Sequence, residues 1–138
     1  MNEDTNSIIR EYLINQATLT DVIEERIYCP RLPENCELPA LGFFTRGGSS
    51  TPYIPGIVTP SIQFDCWGDS PLAARQIYQA LYDVLQGIQN QTVTVDGSDY
   101  KILSATEEVQ GQDLQDIDIP TYFRVLTFFS IMIMAEEP

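Results

Sequence analysis

The sequence predicts an α+β domain: a mostly antiparallel sheet with one long helix (about 70–86) and short N-terminal helices packed on it. Three observations lead there. Leu72, Ile77, Ala80, Leu81, Val84 and Leu85 recur at helical spacing behind a Ser70-Pro71 start. Thr92–Val95 and Tyr100–Leu103 flank Asp96-Gly97, a strong hairpin signal. Thr121–Met134 is apolar at both phases of a period of two.

From the N-terminus, residues 6–17 read as an amphipathic helix with Ile8, Ile9, Tyr12 and Leu13 on one stripe and Asn6 or Ser7 as cap. Thr18 or Thr20 caps a second short helix through Glu25, with Leu19, Val22 and Ile23 facing inward. Arg26–Pro30 is a short extended piece before a proline-punctuated connection, and Ala40–Thr45 reads as a strand. Residues 46–60, rich in glycine, serine and proline, read as a long loop serving either subunit contact or simple mobility. Ser61–Trp67 alternates, with Ile62, Phe64 and Cys66 on one face and Ser61, Gln63 and Asp65 on the other.

The helix after Ser70 stops near Gly87. The acidic stretch 107–119 reads as a solvated connection; its carboxylates lack the spacing of an EF-hand loop. In the closing strand, Phe123, Val125, Phe129, Ile131 and Ile133 point one way, and Leu126, Phe128, Met132 and Met134 the other. At ~3.3 Å per residue it would be about 45 Å long. A strand apolar on both faces needs cover on both. A central position in the sheet, the N-terminal helices or a neighbouring subunit would each supply it. No internal repeat or boundary is visible, so residues 1–138 are expected to form a single domain.

Composition excludes several classes of function. The 138 residues are 43% hydrophobic and 20% charged, ordinary for a globular chain. Twenty acidic residues against seven basic ones give a net charge of −13, which repels nucleic-acid backbones and anionic membranes. No signal-peptide pattern opens the chain, and Val125–Ala135 is too short for a membrane helix. The chain has no histidine, the commonest general base and metal ligand, and no Ser/His or Cys/His nucleophile can be built within it.

Three cysteines, Cys29, Cys36 and Cys66, fit free thiols better than a disulfide framework, with a Cys29–Cys36 bridge as the alternative. They form no CxxC pair for zinc. Phosphate-binding motifs are absent, and Arg46-Gly47-Gly48 precedes no helix start. Catalytic, cofactor and metal residues are therefore expected to be none. Asp65 and Arg124 are the charges most exposed to burial, and a structural ion pair competes there with a catalytic carboxylate.

The order of elements, and the run Ile62-Gln63-Phe64-Asp65-Cys66-Trp67-Gly68-Asp69-Ser70-Pro71-Leu72-Ala73-Ala74 above all, resembles the tail-completion, or tail-terminator, family of long-tailed bacteriophages. Leu81–Gly87 is similar to that family's helix end. Ile9–Leu13, Leu19–Ile23, Arg26–Tyr28 and Leu38–Leu41 resemble its opening, and Tyr122–Val125 enters the strand where the family has its final long one. The 46–60 loop and the acidic 107–119 connection depart from the pattern.

The resemblance implies a structural virion protein and no enzyme. Copies would form a ring, of six in the family pattern, at the head-proximal end of the tail tube, assembled in the host cytoplasm. Its partners would be itself, the tail-tube protein and the head connector or neck protein. On that reading Arg46, Tyr53 and Ile54 of the loop and Phe129, Ile131 and Ile133 of the closing strand are the interface candidates, since a ring joins unlike patches of successive copies. A head-completion or connector subunit, or a small ligand-binding domain, are the alternative readings.

Overall fold

The computed structural model describes residues 4–30, 32–33, 37–50, 57–115 and 122–135, with the side chains of 49, 50, 115 and 135 left aside. It is a mixed α+β fold of three helices and one six-stranded sheet. In chain order the elements are α1 (Thr5–Ile14), α2 (Ala17–Ile23), β1 (Ile27–Tyr28), β2 (Ala40–Ser50), β3 (Ile57–Gly68), α3 (Pro71–Leu85), β4 (Gln89–Val95), β5 (Ser98–Gln115) and β6 (Phe123–Ala135). The sheet order is β1-β2-β3-β6-β5-β4, so β6 closes the sequence but sits in the middle of the sheet. Every neighbouring pair is antiparallel except β1 with β2.

The helices form where the apolar stripes require. Ile8, Ile9, Tyr12 and Leu13 of α1 are buried, and the Tyr12 hydroxyl donates to the Val84 carbonyl at 2.5 Å, tying α1 to the end of α3. The second helix starts earlier than its threonines suggest. Thr20 spends its hydroxyl inside the helix on the Gln16 carbonyl at 3.2 Å, and no side chain caps α2. At 15 residues, α3 is the longest of three helices of ordinary length. Ser70 caps it by accepting the Ala73 N–H at 3.1 Å, and Pro71 fixes its first turn. Gly68 lets that turn sit against the end of β3: a Cβ there would lie 2.6 Å from Ala74 N.

Two segments expected to be irregular are strands. Residues 46–50 and 57–60 of the expected 46–60 loop continue the β2–β3 ladder, which resumes as Gly48↔Pro60, Ser49↔Thr59 and Ser50↔Val58 after a shift between Thr45 and Gly48, while 51–56 lie outside the described residues. The glycines allow it: Gly47 and Gly48 have φ of +111° and +136°, open to glycine and hostile to other residues. A side chain on Gly48 would also strike the Thr59 carbonyl oxygen and the Pro60 backbone.

The acidic 107–119 connection is likewise corrected. Up to Gln115 it belongs to β5, paired to β6 from Tyr100↔Ala135 to Gln115↔Phe123 with three register shifts. A central strand needs a hydrogen-bonding partner on each edge, and this demand overrides the preference of a charge run for solvent. The carboxylates have local partners. Glu107 accepts from Tyr78 at 2.7 Å and Thr127 at 2.8 Å, and Asp113 lies 2.9 Å from Arg75. The Asp96-Gly97 turn forms as expected, with φ of +50° and +81°.

All three helices contribute to one core on one side of the sheet. It is built on Phe43, Phe64 and Phe129, with Phe64 edge-on to Phe129 at a centroid distance of 5.7 Å. Ser70→Ala is expected to cost about 1 kcal/mol of unfolding free energy. Gly48→Ala, which meets both a positive φ and a backbone clash, is expected to cost about 2 kcal/mol or more. Urea unfolding of each variant against the wild type checks both.

Candidate interaction surface

Alternation along β3 and β6 divides their side chains between two environments. Ile62, Phe64 and Cys66 of β3 and Val125, Thr127, Phe129, Ile131 and Ile133 of β6 are buried beneath the helices. Their neighbours form the opposite face: Phe44 of β2, Gln63, Asp65 and Trp67 of β3, and Arg124, Leu126, Phe128, Ser130, Met132 and Met134 of β6. Among the described residues no helix covers that face, and its apolar members remain half-buried.

Two arginines lie flat on the aromatics of this open face. The Arg46 guanidinium sits 3.9 Å from the centroid of the Phe128 ring, and that of Arg124 lies 5.1 Å from the Trp67 ring. Arg46 donates from Nε to Ser61 Oγ at 3.2 Å, and the Ser61 hydroxyl donates to Glu108 Oε1 at 2.7 Å. Arg46 and Glu108 are 4.0 Å apart. Tyr122 packs edge-on against Trp67 at 6.2 Å.

Asp65 and Arg124 form an ion pair at 3.6 Å, with the Gln63 amide also donating to Asp65 at 3.3 Å. Burial raises the Asp65 carboxyl above the ordinary carboxylate range, while Arg124 and then Gln63 pull it partly back. Burial likewise pushes the Cys66 thiol far up, with Asp65 acting in the same direction and Arg75 against, and Cys66 is a fully buried core side chain. Cys29 and Cys66 are free thiols, while Cys36 lies outside the described residues. Among the described residues no group of histidine, cysteine, aspartate or glutamate has the arrangement of a metal site. No helix among them is long and apolar enough to cross a membrane.

The interface candidates divide accordingly. Arg46 is on the open face and exposed. Tyr53 and Ile54 lie outside the described residues. Phe129, Ile131 and Ile133 are each 0% exposed inside the chain's own core, which corrects their assignment to a contact surface. The face that the described helices leave uncovered is the other phase of the same strand: Leu126, Phe128, Met132 and Met134. Sequence reasoning divided β6 into these two sets and could not tell which one the helices take. It missed Phe44 and the arginine–aromatic stacks, for which only cross-strand register gives a signal.

Three depressions among the described residues have volumes of about 220, 380 and 400 Å³. The smallest lies between Pro71 and Phe123 beside Arg124; the others lie against Tyr78 and Tyr82, and against Arg10 and Tyr28. Neither Asp65 nor Cys66 lines these three, although Arg124, the partner of Asp65, lines the smallest.

A carboxyl raised on folding stabilises the fold below its unfolded pKa near 4, and that stabilisation is lost as the pH rises through the higher folded value. The stability of the wild type relative to Asp65→Asn is therefore expected to be greatest in acid and to decline toward neutrality. Urea titrations at pH 3 to 7 measure this. A difference that grows with pH would mean that Arg124 outweighs burial.

No protein-family model matches the chain, and no curated protein does. Its fold is similar to that of a chain in the solved structure described as "Virion of native gene transfer agent (GTA) particle", with a TM-score of 0.66 over 95% of this chain and 95% of that one. At 11% sequence identity the two share a fold, from one end of the chain to the other.

Proposed function

We propose that this chain is a non-enzymatic structural protein of a phage-like particle, and within it a tail terminator. Copies form a ring of six on the head-proximal end of the tail tube, stop its polymerisation and offer the head connector or neck protein a docking face. They assemble in the host cytoplasm and end in the virion. The observation that carries this reading is the one-sided sheet: helices cover one face, while Phe44, Trp67, Leu126, Phe128, Met132 and Met134 on the other are left for a partner. The end-to-end fold likeness to a chain of a gene-transfer-agent virion supports a virion role. The order of elements around Ile62–Ala74 supports the terminator role. The absence of histidine, the commonest general base, supports a chain that assembles and does not catalyse.

Particles produced without this chain are expected to carry tail tubes longer than normal and unattached to heads, seen by negative-stain microscopy. Adding the purified chain during assembly should restore a uniform length. Tubes of normal length that merely fail to join heads would place the chain among neck subunits. Normal joined particles would remove it from the virion.

A further inference from the structure

We propose that the open sheet face binds the outer side of α3 on a second copy of this chain, so that copies join head to tail. This deepens the assembly reading by naming both surfaces and the occupant, and it can fail independently of the particle role.

The first argument comes from the apolar side chains left in water. Among the described residues the three most exposed large ones are Leu72 at 69%, Val109 at 45% and Tyr82 at 39%. They fall on two surfaces and no others. Val109 pairs with Phe128 at the open face, while Leu72 and Tyr82 project from α3 on its solvent side. Tyrosine is enriched at the centres of protein contacts, and an exposed contiguous apolar patch marks an interaction site.

Charge is the second argument. In a chain of net charge −13, no aspartate or glutamate occurs in Leu38–Phe64, Val84–Val95 or Ile119–Ala135. Strands β2, β4 and β6 lie within these stretches and are free of acid. By register and contact the open face carries Arg46, Lys101 and Arg124 against Asp65, Asp99 and Glu108, and so balances. The acids crowd the helical side instead: Asp4, Glu11, Asp21, Glu24, Glu25, Asp69 and Asp83 against Arg10, Arg26 and Arg75. An acidic copy can thus approach the open face without repulsion and bring Asp69 and Asp83, beside its Leu72 and Tyr82, toward Arg46 and Arg124. Arg46 is 42% exposed and 4.0 Å from its acidic neighbour, which leaves it able to take a closer carboxylate.

Geometry supplies the third argument. The two surfaces lie on opposite sides of the sheet, so one copy cannot satisfy both by folding on itself. Unlike patches on opposite sides generate a repeating contact, which closes as a ring when its rotation permits.

The test uses two full-length variants designed to repel. Phe128→Glu sets a carboxylate on the open face against the acidic helical side, with Met132→Glu in reserve if it fails to fold by circular dichroism. Leu72→Gln with Tyr82→Lys removes the α3 anchors and sets an ammonium against Arg46 and Arg124. By light scattering after size exclusion the wild type should assemble, and each variant alone should associate at least about 30-fold more weakly. Mixed, the two should form a one-to-one pair, since one keeps an intact α3 side and the other an intact open face. Trp67 is the chain's one tryptophan and lies on the open face, so its emission should shift to shorter wavelength as the pair forms.

Full assembly by the α3 variant would mean that open faces bind each other and overturn the proposal. Two blocked variants that do not pair would overturn it too. A wild type that stays monomeric at tens of micromolar would overturn the proposal as well, and would leave the virion role to the tail-length experiment.

Discussion

β6 must satisfy two edges and two faces at once, and the rest of the fold follows from how it does so. Its backbone is paired with β3 on one side and β5 on the other, so no edge is left open. Val125, Thr127, Phe129, Ile131 and Ile133 are sealed under the helices, the last three at 0% exposure. Its even-numbered side chains face a side of the sheet that no described helix reaches. A strand apolar at both phases is stable only when both faces find cover, and the described residues supply one of the two.

The neighbouring strands are shaped by that central demand. β5 must accompany β6 from Tyr100 to Gln115, and it carries acidic residues into the sheet to do so. Glu107 is held by Tyr78 and Thr127, and Glu108 reaches Ser61 across the open face. On the other flank β3 and β2 stay paired beyond a bulge only because Gly47 and Gly48 accept positive φ values. The arginines complete the arrangement. Placed over Phe128 and Trp67, they give an apolar face a charged fringe. Beside Asp65, Arg124 offsets part of the penalty that burial places on the carboxylate charge.

How far this could be read from residues depended on whether the signal was local. The start of α3 is specified by Ser70 and Pro71, and the β4–β5 turn by Asp96 and Gly97; both stand where the sequence put them. The ends of β2 and β5 are different. Gly47, Gly48 and Pro60 look like loop formers until a partner strand lies beside them, and Glu107–Asp113 looks solvated until β6 needs a second edge. The candidate surface was half legible. Arg46 and the doubly apolar strand were visible as components, but Phe129, Ile131 and Ile133 were assigned to the wrong phase.

The residues alone determined an acidic chain without histidine, an amphipathic α3, a tight hairpin and a final strand with two apolar phases. These depend on composition, capping and periodicity, which act within a few residues of one another. Only the tertiary structure decided which phase of β6 is core and which is surface, because a period of two defines two faces and favours neither. The helices break that symmetry by packing on one side, and the face they leave open is the one a partner can use.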